Sequence, residues 1–268
     1  MNLFSIGISH HTAPVDVREK MYVPADELPR VLAHLKERLF SECMVVSTCN
    51  RTELYGIPQD PSVADREVIA TLLTVKNAGE TVHPDHFTSH HAGAALHHLF
   101  KVSAGVDSMI IGDIQILNQV KEAFQTARDA ASLGPVMNRL MQASLHVGKR
   151  VRTETPICEG AVSVSYAAVE LASKIFADLS RKTALLIGAG ETGELTLKHL
   201  VGKGIGKVLV ANRTRSRAET LVAQLGGEAI DYEQMEDGLR ASDIVITSVN
   251  SPTYVVQPDH VHQVMHQR

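Results

Sequence analysis

The run Thr183-Ala184-Leu185-Leu186-Ile187, followed at once by Gly188-Ala189-Gly190-Glu191-Thr192-Gly193, constrains this chain more than any other stretch. It reads as a buried strand, a glycine turn and a helix continuing through Leu200. Alone, such a glycine string carries little weight. Between a strand and a helix it specifies a βαβ unit of a doubly wound parallel sheet. The glycines permit a tight turn and let backbone N–H groups at the helix N-terminus approach a pyrophosphate. Gly188, Ala189, Gly190, Glu191, Thr192 and Gly193 are therefore the expected dinucleotide-binding residues; the competing reading is the same fold without a ligand. The next strand is expected at residues 207–211. At its end, where an acid would meet the ribose 2′-hydroxyl of NAD, the chain reads Asn212-Arg213-Thr214-Arg215. No acid stands there to repel a 2′-phosphate, and two guanidiniums favour one. The expected cofactor is NADPH, with Asn212, Arg213 and Thr214 on its adenosine side. A third parallel strand is expected at residues 242–247, with a polar loop at 247–252 facing the cofactor.

That unit accounts for under half of 268 residues, so a second domain is required. The stretch 153–160 holds Pro156 and Gly160, and the boundary is placed between 155 and 156. A helix over 161–178 would bridge to the second domain. With 44% hydrophobic residues and no Trp, the cores must be aliphatic. A formal charge of −4 argues against a broad nucleic-acid-binding surface but allows a local basic patch. One such patch is Lys149-Arg150-Val151-Arg152, which suits a helix C-terminus and could also meet phosphates. The three cysteines, Cys43, Cys49 and Cys158, are odd in number and form no CxxC pair, which fits a reducing, cytoplasmic setting. No signal peptide or membrane-length apolar run is apparent.

The first half alternates between strand and helix patterns. Strands are expected at 3–8, 44–46 and 53–57. Helices are expected from Pro24, with Leu28, Val31, Leu32, Leu35 and Leu39 apolar, at 63–75, and from Ala92 to Gly105. Two more follow: one capped by Asp113 and carrying Ile114, Leu117, Val120 and Phe124, and one over 135–152. This mixture predicts an α+β layer, an antiparallel sheet covered by helices. Its chemical centre is Ser47-Thr48-Cys49-Asn50-Arg51-Thr52-Glu53-Leu54-Tyr55, a thiol held at a polar turn between two strands. Cys49 can be a nucleophile or a small buried hydrophobe. Arg51 can supply the cation that favours a thiolate, or grip a carboxylate. Fourteen histidines include His90-His91 and His97-His98, which a helix would align at seven-residue spacing. No cysteine or acid stands at a recognised metal spacing nearby, and no metal is expected.

Several segments together resemble the glutamyl-tRNA reductase family. They are residues 47–55, Gly7-Ile8-Ser9-His10-His11-Thr12-Ala13-Pro14, Gly105-Val106-Asp107-Ser108, Gly148-Lys149-Arg150-Val151-Arg152-Thr153-Glu154-Thr155 and Gly188-Ala189-Gly190-Glu191-Thr192-Gly193-Glu194-Leu195. The resemblance runs from about Leu3 to Pro252. It implies a catalytic glutamyl-tRNA-binding domain over 1–155 and an NADPH-binding Rossmann domain over 156–268. The implied reaction is NADPH-dependent reduction of glutamyl-tRNA to glutamate-1-semialdehyde through a Cys49 thioester, the first step of the C5 route to tetrapyrroles. Cys49 and His98 would be catalytic. Thr48, Cys49, Asn50, Arg51, Ser108, Asp113, Ile114, Gln115 and Gln119 would bind substrate, with Arg51 as the carboxylate clamp. An aminomutase that receives the aldehyde is an implied partner.

Two departures stand out. The family reads Gly-Glu-Pro-Gln where this chain has Gly112-Asp113-Ile114-Gln115, and the family continues into a long helix and a dimerisation domain, so a shortened form is expected. Two rival readings remain. A dehydrogenase of shikimate dehydrogenase type also carries Asn-Arg-Thr after its second strand and needs no nucleophilic cysteine. A non-catalytic module binding tRNA or a partner would need no turnover.

Overall fold

The computed structural model of the chain describes residues 2–158, 163–249, 251 and 253–267. Two sheets of different kind organise it, one in each of two units, residues 1–162 and 163–268. The short 3-10 turn Pro156–Cys158 belongs to the first unit. Gly112 explains its attachment: at φ +86° it backs so closely onto the Ile157 carbonyl that no Cβ would fit.

The first unit contains β1 (Phe4–Ser9), α1 (Val15–Met21), α2 (Leu28–Arg38), β2 (Phe40–Ser47), β3 (Arg51–Pro58), α3 (Asp65–Lys76), β4 (Thr88–His91), α4 (Ala92–Ser103), α5 (Gln115–Asp129) and α6 (Pro135–Glu154). The sheet order is β2-β3-β1-β4 and every pairing is antiparallel. β1 is buried along its whole length. α2 and α5 pack on β2, and α3 and α4 on β1. Helical spacing makes the contacts: Leu28, Val31, Leu32 and Leu35 of α2, and Ile116, Val120, Ala123 and Phe124 of α5, are all buried. Where α4 meets α6, small residues let the backbones close up. Gly148 lies against the Ser103 carbonyl, and the Ser103 and Ser144 hydroxyls are 2.5 Å apart.

Two elements of this unit escaped the sequence reading. α1 is one short, charge-rich helix. β4 carries His90 and His91, which a helix would have aligned with His97 and His98; they lie instead on a strand that pairs with β1.

The second unit contains α7 (Val164–Phe176), β5 (Thr183–Ile187), α8 (Glu191–Gly202), β6 (Lys207–Ala211), α9 (Arg215–Leu225), β7 (Glu228–Ile230), α10 (Met235–Ala241), β8 (Ile244–Thr247) and α11 (Pro258–Gln267). The Ala161 start expected for the bridging helix lies outside the described residues; Ser163 caps α7, its hydroxyl accepting from the Tyr166 N–H at 3.1 Å. The sheet order is β7-β6-β5-β8, all parallel. The expected third strand at 242–247 is thus the fourth; the third, β7, is only three residues long. Strand alternation serves both faces. Ala184, Leu186, Val208 and Val210 join the core with Val169, Leu197 and Leu221. Leu185, Ile187, Leu209 and Ala211 join the core with Leu239 and Val264. No helix among the described residues is long and apolar enough to cross a membrane.

The start of α6 is held from another element. Glu42 on β2 is buried, and its carboxylate accepts the N–H groups of Val136 at 3.3 Å and Met137 at 2.6 Å. Glu42→Ala strands those donors in the interior and removes an anion from a helix N-terminus. It should lower unfolding free energy by about 1–2 kcal/mol in urea titrations. An unchanged urea midpoint would refute this tie.

Candidate active site

β2 and β3 are joined by Thr48-Cys49-Asn50. The Thr48 N–H donates to the Arg51 carbonyl at 2.7 Å. Tight hairpin turns usually need positive φ at a central residue, yet neither Cys49 nor Asn50 has one. The Thr48 hydroxyl compensates, accepting the N–H groups of Asn50 and Arg51 at 3.2 Å each. The His10 N–H donates to the Asn50 carbonyl at 2.9 Å, tying the loop to the end of β1. The Cys49 side chain emerges at this apex exposed to solvent, whereas Cys43 is buried and its thiol pushed up to about 12 by burial.

Below the loop lies a buried charge network. Arg51, Glu53 and Tyr55 share one face of β3 and all three are buried. Arg51 Nη1 donates to Glu53 Oε1 at 2.9 Å and to Asp107 Oδ2 at 3.0 Å, while Nη2 donates to the Asp107 carbonyl. The Tyr55 hydroxyl donates to Glu53 Oε2 at 2.6 Å, and His98 Nε2 lies 3.1 Å from Glu53 Oε1. Burial alone would raise the Glu53 pKa. The Arg51 charge and the bonds from His98 and Tyr55 outweigh it and hold the carboxyl at about 2. An ionised carboxylate only accepts, so His98 Nε2 carries the proton and Nδ1 is left as the acceptor in the neutral ring. The centroid of the His98 ring also lies 4.7 Å from that of His90, the two rings tilted at 35°.

Beside this network opens a cavity of about 200 Å³, lined by His11, Glu53, His90, His98, Lys101 and Asp107 among others. Glu53, His98 and Asp107 place ligand-type atoms within 4.8 Å of one another. The Arg51 guanidinium donates to both of those carboxylates, so it already supplies the cation of this cluster.

The cation that bears on the Cys49 thiol is Arg18 of α1; Arg51, for which the sequence left both a cation's role and a grip on a carboxylate open, is held by Glu53 and Asp107. Burial pushes the Cys49 thiol up, Arg18 lowers it, and Asp113 raises it. Asp113 itself is raised by burial and accepts from the Gln115 N–H at 2.9 Å, but it stands one residue before the N-cap, Ile114, so the expected Asp113 cap becomes a turn leading into α5. Ile114 is the N-cap of α5, Gln115 and Gln119 lie on it, and Ser108 follows Asp107 in the loop after α4. Thr48, Cys49, Asn50 and Arg51 are thus one local structure. His98 joins them through Glu53 and Arg51. Neither Arg18 nor Asp107 was singled out as a site residue: they reach Cys49 and Arg51 across 31 and 56 residues, and the one available signal was that Asp107 lies in the segment 105–108 that carries the family resemblance.

In the second unit, Gly188 has φ +108° and lies against the Ser248 carbonyl, and Gly193 packs on the Gly188 carbonyl; neither has room for a Cβ. A Cβ at Gly190 would meet nothing within 4 Å. That open face, at a helix start with no side-chain cap, suits close approach by a pyrophosphate. Ala189 and Thr192 flank these positions, and the side chain of Glu191 lies outside the described residues. Asn212 Oδ1 accepts the Ala189 N–H at 3.1 Å and Nδ2 donates to the Thr214 carbonyl at 2.8 Å, bracing the glycine loop. Arg215, counted in the sequence as a guanidinium for a 2′-phosphate, is engaged by Glu219 at 2.8 Å and by Asp231. Arg217 instead lines a cavity of about 440 Å³ with Ala189, Gly190 and Ser216. These residues fit a dinucleotide.

An exposed thiol on a hairpin in one unit and a dinucleotide-type parallel sheet in the other define a thiol-bearing protein of the nucleotide-cofactor class. Residues 6–155 match the family described as glutamyl-tRNAGlu reductase, N-terminal domain, and residues 170–268 match shikimate / quinate 5-dehydrogenase. The chain is 44% identical to the glutamyl-tRNA reductase of Chlorobium phaeobacteroides (strain BS1), covering 100% of the chain and 63% of that relative. It is 43% identical to that of Chlorobium limicola, covering 100% and 64%. The solved glutamyl-tRNA reductase from Methanopyrus kandleri superimposes with a TM-score of 0.56 at 36% identity, over 99% of this chain and 63% of that one. The chain belongs to the glutamyl-tRNA reductase family, and it spans less than two thirds of the length of these relatives.

The Glu53 carboxyl gives a pH prediction. Its folded pKa lies below its ordinary value of 4.5, so its stabilisation is complete above about pH 4.5 and disappears as pH falls toward 2. Glu53→Gln should cost about 3 kcal/mol near neutrality, and its gap from the parent should narrow by about half or more in unfolding curves taken down to about pH 3. A gap independent of pH would contradict the assignment.

Proposed function

We propose that this chain carries the catalytic and cofactor-binding parts of an NADPH-dependent glutamyl-tRNA reductase. The observation that carries the reading is the exposed Cys49 on a tightly bonded loop, in a chain whose first 155 residues fall in this family. The Cys49 thiolate attacks the carbonyl of the aminoacyl ester. The S–C bond forms, the bond to the ribose oxygen breaks, and that oxygen leaves with a proton. His98, whose Nε2–H is held by Glu53, is the group proposed to deliver that proton, taking it from solvent at the free Nδ1 and passing it to the departing oxygen. The thioester is more electrophilic than the ester, so one difficult reduction becomes two easier steps. When bound, the reduced nicotinamide supplies hydride. The C–S bond then breaks, freeing glutamate-1-semialdehyde and returning the thiolate.

Thr48, Asn50, Ser108, Asp113, Ile114, Gln115 and Gln119 are proposed to shape the substrate site around Cys49. Arg51 can clamp a substrate carboxylate only by exchanging Asp107 for it, since Asp107 holds its outer edge. The glycines at 188, 190 and 193 and the α8 N-terminus are proposed to hold the pyrophosphate. Arg213, which has no ion-pair partner among the described residues, and Arg217 are proposed to face the 2′-phosphate. An aminomutase that accepts the aldehyde is the proposed partner.

Two measurements test this. In single turnover, labelled glutamyl-tRNA should leave label on the chain without NADPH, release aldehyde once NADPH is added, and leave none on Cys49→Ser. If neither this chain nor a full-length family form traps label, the reductase reading falls. In cofactor titrations, Arg217→Gln should weaken NADPH about tenfold, roughly 1.4 kcal/mol, and leave NADH unchanged. Equal loss for both would remove Arg217 from the 2′-phosphate.

A further inference from the structure

We infer that Arg18 is the positioning residue of the nucleophile: it pins the loop that carries Cys49 and supplies the unneutralised positive charge that a thiolate there would answer. Only two arginines of the described residues are buried, Arg18 and Arg51, and they flank the same loop. Arg51 has two carboxylates. Arg18, 8% exposed, has no carboxylate partner among the described residues. Buried guanidiniums are ordinarily paired, because leaving the charge desolvated and uncompensated is costly.

The donors of Arg18 go to two carbonyls, Nη1 to Ala13 at 2.7 Å and Nε to Cys49 at 3.3 Å. Carbonyl oxygens solvate the cation without neutralising it. The second bond falls on the backbone of the nucleophile itself, so α1 holds the loop apex in place. The groups that face Cys49 are few. Arg18 comes from α1, Asp113 from the turn before α5, and a backbone N–H of the loop completes the set. His10, at the end of β1, also feels Arg18, and burial with the neighbouring cations favours its neutral form. Asp113 opposes the thiolate, so Arg18 is the one side-chain cation among these groups that favours it. Ionisation releases the Cys49 proton to the solvent that reaches the thiol and leaves the anion that Arg18 lacks.

The significance of this role rests on the reading of Cys49 as the nucleophile of the proposed reaction, but its test reads the thiol alone. The measurement is the pH profile of Cys49 alkylation by iodoacetamide, followed by mass spectrometry of the Cys49 peptide in a Cys158→Ser background. Arg18→Gln should move the midpoint up by about one pH unit, a roughly tenfold loss of thiolate below the midpoint. Arg18→Lys, which keeps the charge, should stay near the parent. A midpoint for Arg18→Gln that coincides with the parent would overturn the proposal, whatever happens to the limiting rate. If Arg18→Gln does not fold, citrulline at position 18 removes the charge while keeping the shape. It can be introduced by joining a synthetic segment 1–42 to a chain beginning at Cys43, and the same upward shift is expected. If the Arg18-dependent profile appears while glutamyl-tRNA leaves no label on the full-length form, the role of Arg18 stands and the reductase reading falls.

Discussion

A guanidinium buried in the middle of a sheet is the constraint on which the first unit depends. Arg51 cannot sit where β3 places it unless anions come with it. One comes from the same strand, because residues two apart share a face and Glu53 follows Arg51 at that spacing. The other is Asp107, from the loop after α4. Tyr55 and His98 then occupy the remaining acceptor positions of Glu53. The chemistry-bearing residues are therefore also structural ones. His98 cannot be moved without disturbing the carboxylate that neutralises Arg51, and Arg51 also supplies the backbone N–H and carbonyl that fasten the Cys49 loop to Thr48.

This arrangement separates two demands that conflict at one position. The network needs its charges satisfied so that β1, β3 and α4 hold together. A thiolate at Cys49, as proposed above, would need a cation whose charge is not satisfied. The fold meets these demands with different arginines on opposite sides of one hairpin. Arg51 is neutralised and serves rigidity, while Arg18 is left with carbonyl ligands and a net charge. The exposed thiol, raised by the protein packed about it and by Asp113, is lowered by the second, which also bonds the Cys49 carbonyl.

What could be read from the sequence follows the range of the interactions. α2 and α5 announce themselves through apolar residues three and four apart, and Gly188 to Gly193 through a strand before and a helix after. The thiol at a turn was legible because Ser47, Thr48 and Asn50 are turn-forming neighbours in the chain. α1 was not, since seven residues with four charges show too little periodicity. β4 was not, because Thr88 to His91 has no alternation, and it exists only through its pairing with β1. The partners of Arg51 and Cys49 were half legible: Glu53 lies two residues away, whereas Asp107 and Arg18 meet the site only once the sheet and helices are assembled.

The same reasoning applies to the end of β6, where counting charges along the chain misleads. The absence of an acid after Ala211 suggested two free guanidiniums at 213 and 215. In the folded unit the acid arrives from elsewhere, as Asp231 follows β7, the strand beside β6, and reaches Arg215. A parallel sheet aligns the C-terminal ends of neighbouring strands, so a residue after one strand is a neighbour of residues after the next. The charge offered to the proposed 2′-phosphate is therefore summed over two adjacent strand ends and the first turn of α9. By that sum Arg215 is spent on Asp231 and Glu219, and the positive charge left for such a ligand would belong to Arg213 and to Arg217, in the first turn of the helix.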